Sequence, residues 1–259
     1  MNKEDFDRLV SRKDWTAVRV AQQSGPSIVP YVQPYLGNKD QVVRLLAVDC
    51  LAAAGGPQAA LLLVRALGDS NDQVADNAVN ALHKNPPVGQ EDALLAAWDA
   101  SQSRETYLRQ QIPLVLGRMQ AYDRLQQIKA RLGVDHRQPV RDGIIVGAAK
   151  LGDPDSRIAF GQLLRDGRGK RTAELIEFVR YLDEFWVIPQ LVPVLQRKDI
   201  AVVLSTHIND VERRDCDLAV DQVLFISKKH FSFVVDPTAQ YSDNQINEVL
   251  QFARAKPGQ

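Results

Sequence analysis

Apolar and polar positions alternate with the period of a helix along most of the chain. Alanine, leucine, glutamine and arginine dominate at that spacing, and the alternating β-branched runs that mark strands are nearly absent before the last fifth. The pattern predicts an all-α protein. Residues 57–87 show the unit most clearly: PQAALLLVRALG reads as a first helix, DSND as a turn, and QVADNAVNALHK as a second helix ended by Asn85, Pro86 and Pro87. In that second helix Val74, Ala78, Ala81 and Leu82 form an apolar stripe, and Gln73, Asp76, Asn77, Asn80 and Lys84 take the other side. The acids and amides of DSND suggest a calcium loop, but counting from Asp69 the sixth position is Val74 and the twelfth is Asn80, where glycine and a bidentate glutamate are required. The stretch is therefore read as a helix stop and N-cap turn, its side-chain oxygens accepting from the free N–H groups of the next helix.

This unit recurs. Aligned on the apolar residue that ends each first helix, the anchors are Leu36, Leu67, Trp98, Leu132, Leu164 and Leu195, spaced by 31 to 34 residues. Prolines give a second sign: IVPYVQPYL and VIPQLVPVL place Pro30 and Pro34, and Pro189 and Pro193, at the same offsets from their anchor leucines. Each unit reads as helix A, a short polar turn and helix B.

The L-G-x-x-D-x-x-V-R core at Leu36, Gly37, Asp40, Val43 and Arg44, echoed at Leu132, Gly133, Val140 and Arg141 and in part at Leu108 and Arg109, resembles HEAT repeats, close to the bacterial HEAT-like type also found in phycobilisome lyases. The resemblance covers roughly residues 24 to 226, and the fifth and sixth units depart from it. It implies a right-handed α-α superhelical solenoid of about six HEAT-like helical hairpins, with B helices lining a concave surface that binds another macromolecule. Residues 1–23 are expected to form N-terminal capping helices, with Asp14 as an N-cap and Phe6, Leu9, Val10, Trp15, Val18 and Val20 covering the first repeat. Residues 227–259 are expected to form a C-terminal cap. There a β-like run at Phe231 to Val235 either covers the stack or pairs with another chain's edge, and a final helix starts at Ser242 or Asp243.

Composition changes little. With 45 % hydrophobic and 25 % charged residues and zero formal net charge, the chain is an ordinary folded protein with no global field for nucleic acid. Its two cysteines, Cys50 and Cys216, suit a reducing compartment, and no leader or membrane-spanning run is visible, which points to the cytoplasm.

Catalytic and metal motifs are missing. His83, His136, His207 and His230 show no ligand spacing, no G-x-S-x-G elbow occurs, and neither a metal nor a cofactor is expected. LLRDGRGKRTAE is no P-loop, because Leu164 stands at the first glycine and Arg171 at the hydroxyl. Both cysteines read as buried and structural, although Arg213 and Arg214 near Cys216 leave a reactive thiol open.

Charge is segregated. Arg124 to Arg171 holds eleven basic residues against five acidic ones, and Leu67 to Glu105 holds seven acids against two bases. This is either a solvated surface or a field for a partner with complementary patches. The candidate contacts are Arg44, Asp76, Asn80, Arg109, Arg141, Arg168, Lys170, Arg171, Glu177 and Arg180. Arg44, Arg109 and Arg141, at the recurring arginine, have the alternative role of laddering between repeats, and Trp98 and Trp186 are either interface anchors or core.

The leading expectation is a non-enzymatic scaffold, adaptor or inhibitor of another protein, such as a toxin-neutralising immunity protein. Resemblance alone adds a bilin lyase-type chaperone. It also adds a nucleic-acid-binding protein or DNA glycosylase of the HEAT-like kind using the Arg124 to Arg171 patch, against which neutrality and the scarcity of aromatic residues weigh.

Overall fold

A computed structural model describes residues 2–102, 106–205 and 210–255, and the chain divides into two compact units, Met1–Asp153 and Pro154–Gln259. Among the described residues the fold is all-α apart from one small hairpin of strands. No helix among the described residues is long and apolar enough to cross a membrane.

The first unit contains α1 (Lys3–Ser11), α2 (Thr16–Ser24), α3 (Val29–Val32), α4 (Gln41–Ala54), α5 (Pro57–Ala66), α6 (Asp72–Lys84), α7 (Glu91–Ala100), α8 (Thr106–Arg118), α9 (Leu125–Ala130) and α10 (Gln138–Lys150). They alternate as first and second helices of hairpins. The second helices touch in chain order, α2 on α4, α4 on α6, α6 on α8 and α8 on α10, and among the first helices α1 meets α3 and α5 meets α7. A helix with a neighbour on each side must be apolar on more than one stripe, which is why α4 buries Val43, Leu46, Ala47, Val48, Cys50, Leu51 and Ala54. Each fully buried large aliphatic side chain in such a row contributes about 1.5–3 kcal/mol of transfer free energy.

The DSND turn behaves as its residues require. The Asn71 side chain caps α6 by accepting from the Val74 N–H, while Asp69 accepts from the Asn71 N–H. Asp40 does the same for Val42 at the start of α4. The paired prolines have a stronger effect than a capped helix would suggest. With an N–H deleted every fourth residue, residues 25–37 become a 3-10 turn, the single α-helical turn α3, and another 3-10 turn. Trp15, expected to cover the first repeat, is 46 % exposed, whereas Phe6 and Val10 are buried.

Pro113 lies inside α8, and the vacancy it leaves ties α8 to α7, the two helices of one hairpin. Its missing N–H leaves the Arg109 carbonyl without its helical donor. Trp98 Nε1 fills that vacancy at 2.8 Å, and its indole lies under the Arg109 guanidinium, 3.8 Å from the ring centroid. Trp98 is thus core, because its one polar atom is used inside the fold. Gly143 and Gly147 of α10 let two helix backbones meet: a Cβ at Gly143 would stand 2.2 Å from the Gln110 carbonyl oxygen of α8, and one at Gly147 would stand 2.4 Å from that of Pro113.

The second unit contains α11 (Pro154–Asp166), α12 (Lys170–Leu182), a 3-10 segment Phe185–Leu191 running into α13 (Val192–Leu195), β1 (Ile200–Ser205), β2 (Asp210–Arg214), α14 (Asp215–Ser227) and α15 (Asp243–Arg254). Here too α11 meets α13 and α12 meets α14. The sixth repeat departs from the pattern because an antiparallel β1–β2 hairpin is inserted between its two helices. The Asp215 N–H donates to the Asp199 carbonyl and the Cys216 N–H to that of Arg197, closing the neck of the insertion. Buried Asp215 then accepts from Thr172 Oγ1 at 3.0 Å and lies 3.1 Å from Arg197 Nε, and burial raises its pKa.

The run at Phe231 to Val235 forms no strand, contrary to its β-like pattern. Its rings are claimed by other rings: Phe231 stands edge-on to Phe252 of α15 at 5.6 Å, and Phe233 meets Tyr241 at 5.5 Å. α15 is capped by Ser242, which forms a capping box with Gln245, and it buries Ile246, Val249, Leu250 and Ala253.

Candidate interaction face on the second helices

The polar sides of α4, α6 and α8 make a continuous strip in the first unit. Asn77 Nδ2 donates to Asp49 Oδ1 at 3.2 Å, joining α6 to α4, and the Tyr107 hydroxyl donates to Asn80 Oδ1 at 2.7 Å, joining α8 to α6. Gln110 and Gln111 continue the row along α8, where Gln111 Nε2 donates to Gln110 Oε1. Burial raises the Asp49 pKa, opposed by the Asn77 hydrogen bond, and burial likewise raises that of Tyr107. Carboxamides, a hydroxyl and carboxylates present donors and acceptors in both senses, so the strip suits a polar protein surface. Among the described residues no group of three or more His, Cys, Asp or Glu side chains could hold a metal ion.

His83 sits at the end of α6, its Nε2 buried and without a hydrogen-bond partner. Burial, and then the nearby Arg118 charge, push its pKa down to about 4 in spite of a hydrogen bond with Gln111. The folded chain binds this proton less readily than the unfolded chain, whose imidazole titrates near 6.5. The stability His83 supplies is therefore complete above that value and lost as pH falls through about 4. His83→Gln should flatten that part of the stability curve, measured as urea midpoints of both proteins across the window. An unchanged slope would contradict a buried neutral imidazole.

The predicted contacts fall into different settings. Asp76 and Asn80 lie on the strip of α6. Arg109 is 2 % exposed, and its guanidinium donates to Asp135 Oδ2 at 3.0 and 2.7 Å and to the Trp98 carbonyl, so it is closed to any partner. Arg44 likewise grips Asp69 with two hydrogen bonds of 2.7 and 2.9 Å. Both arginines start a second helix and reach the acid in the turn of the next hairpin, so at these positions the recurring arginine is a ladder between repeats. Asp135 accepts from Arg137 as well, and these bonds hold its carboxyl well below the usual range. Arg141 is half-buried and donates to the Leu132 carbonyl at 2.6 Å, holding its own turn. Arg168, Lys170, Arg171, Glu177 and Arg180 belong to the second unit. Arg168 donates to the Arg165 and Gly167 carbonyls, Arg171 pairs with Glu174, and Lys170 and Glu177 are exposed. Arg180 of α12 lies 5.6 Å from the ring of half-exposed Phe225 on α14.

The segregated charge of the sequence is cancelled in space within the first unit. Arg124 and Arg131, flanking α9, pair with Asp92 and Asp99 of α7, both 32 residues earlier, and Lys129 pairs with Asp153. One repeat length separates the acidic from the basic stretch, so these charges form rungs between neighbouring hairpins where a basic groove was conceivable. Trp186 donates to Glu184 and stacks edge-on against Phe160, with Arg157 at 4.8 Å from its ring.

Cys50 and Cys216 are buried, and burial pushes their thiols up to about 12 and about 11. The two arginines beside Cys216 are committed elsewhere, Arg213 to Asp221 and Arg214 to Asp217, so the reactive-thiol reading has no free cation behind it. His136 and His230 are exposed, and His207 lies outside the described residues. Asp49, Tyr107, Gln110 and Gln111 were not singled out from the sequence. The available signal for Asp49 was a lone carboxylate in the apolar run LLAVDCLAAA.

Residues 11–83 match the family model for HEAT repeats. No curated protein matches the chain. Among solved structures the chain is similar to the complex of CpcE and CpcF of phycocyanin lyase from Nostoc, at 13 % identity over 93 % of this chain and 86 % of that one, with a TM-score of 0.56. It also aligns with human deoxyhypusine hydroxylase in complex with glycerol, at 14 % identity over 98 % and 96 % of the two chains, with a TM-score of 0.36. The first likeness speaks for the fold alone.

Proposed function

Because the chain carries HEAT repeats, we propose that it is a non-enzymatic protein-binding scaffold whose partner lies along the second helices of the first unit. The observation that carries this reading is the strip from Asp49 to Gln111. It is polar, and its cross-helix hydrogen bonds leave further donors and acceptors toward solvent. An adaptor and an inhibitor, including a toxin-neutralising immunity protein, would use such a strip in the same way. The likeness to phycocyanin lyase adds a chaperone of that type as an outcome to be tested.

Asp76→Arg combined with Asn80→Arg changes the strip and leaves the buried stripe of α6 intact. Affinity capture from the source cells, read by mass spectrometry, should return a protein whose recovery falls about tenfold or more with the double variant, a loss in the range of an interface hot spot. Gln58→Arg, exposed on α5, should leave recovery unchanged. Equal recovery with both variants would remove the strip from the function, and an absorbance change on adding free bilin would favour the lyase-type chaperone.

A further inference from the structure

The β1–β2 insertion leaves one strand edge open. Peptide groups along a paired antiparallel strand point alternately toward and away from the partner. Gln240 Nε2 donates to the Glu212 carbonyl at 2.8 Å from outside the hairpin, so Glu212 turns outward on β2. Val203 stands opposite Glu212 in register and therefore turns its own N–H and C=O outward on β1. Among the described residues no backbone hydrogen bond from outside the hairpin reaches Val202 to Ser205.

The two edges are guarded differently. β2 reads DVERR, charged and covered by Gln240, whereas β1 reads IAVVLS, without charge or proline. Uncharged β-branched edges recruit further strands, and proteins normally blunt them. At its start β1 is shielded, since the Ile200 carbonyl oxygen packs within 2.9 Å of where a Gly169 Cβ would lie. α12 packs beside β1, but among the described residues it makes no backbone hydrogen bond to Val202 to Ser205. On its outer side Val203 is 50 % exposed, beside the exposed carboxylates of Asp210 and Glu212, with which no cation pairs among the described residues. On the other side Val202 and Leu204 are half-buried.

We infer that the free edge of β1 binds an extended segment of a partner protein as a third strand, and that this segment alternates basic and apolar residues. Its apolar side chains would extend the row of Val202 and Leu204. Its lysines or arginines would lay their stems over Val203 and carry their charges to Glu212 and Asp210 across the hairpin. A second copy of this chain fits less well, because pairing β1 with β1 leaves both acids uncompensated and one short strand buries far less than a stable dimer needs.

The probe is a capped, fluorescent peptide of alternating lysine and valine, followed by anisotropy at low salt. A second peptide is N-methylated at alternate residues, which keeps the charge and removes the strand hydrogen bonds. The parent peptide should bind the wild-type chain. Methylation, and separately Val203→Pro, should each weaken binding roughly tenfold or more, because proline is tolerated where an edge N–H faces outward and removes that donor. Glu212→Lys should weaken it as well and keeps the test open if the proline variant fails to fold, which circular dichroism reports. No binding by the wild type, or equal binding of the methylated peptide, would overturn the inference. So would a dimer in sedimentation that disappears in Val203→Pro, since that assigns the edge to a second copy.

Discussion

Replacing Arg109 with methionine should destabilise the first unit by about 3 kcal/mol, the lower end of the ~3–5 kcal/mol expected when one member of a buried ion pair is removed. The side chains of Arg109 and Asp135 are 2 % and 3 % exposed, so water replaces neither partner. The lower end applies because Arg137 remains on the Asp135 carboxylate. The same substitution uncovers the Trp98 ring and the Trp98 carbonyl, which lose a cation stack and a donor. Arg44→Met removes an equivalent rung whose side chains are 13 % and 10 % exposed, so its effect should be smaller. Urea denaturation of the two variants measures the difference. Equal losses would show that the rung at Arg109 gains nothing from its burial.

Gly147→Ala gives the second large effect, and its sign is the test. In an exposed helix the change stabilises by about 0.5–1 kcal/mol, because alanine loses less backbone entropy than glycine. At position 147 the new methyl would stand 2.4 Å from the Pro113 carbonyl oxygen and 2.7 Å from its carbonyl carbon, and neither atom belongs to a side chain that could turn away. α8 and α10 must separate, and overpacking of this kind costs about 1–3 kcal/mol or more. A net loss is expected, larger still for Gly147→Val, and thermal unfolding followed by circular dichroism will read it. A rise in Tm for Gly147→Ala would show that the two helices are not in close contact.

Much of the first unit was legible from local chemistry. Asp40 and Asn71 announce helix starts because short polar side chains at those places satisfy free N–H groups, and they do so in the fold. The apolar stripe of α6 was visible in its spacing and widens in the structure to include Ala75 and Val79, because α6 has neighbours on two sides. The spacing of Gly143 and Gly147 was equally visible, but nothing near them in the chain shows that carbonyl groups of α8 lie opposite. Within the strip, Asp76 and Asn80 were readable as the polar side of a helix. Asp49 and Tyr107 were not, since their partners are 28 and 27 residues away.

The clearest difference lies in the charges. Composition along the chain separates an acidic from a basic stretch and suggests a field. Stacking brings residues one repeat apart together, so Asp92 meets Arg124 and Asp99 meets Arg131. Likewise Pro113 and Trp98 carry no mutual signal, yet one removes a donor and the other supplies it.

By itself the sequence determined the helices, their turns and the repeat, because capping, proline geometry and the 3.6-residue period act over a few residues. Only the tertiary structure decided which arginines are rungs and which polar groups still face solvent. It likewise showed that the sixth repeat opens into a strand hairpin with a bare edge, since each of these depends on groups that the stacking of hairpins brings together from distant parts of the chain.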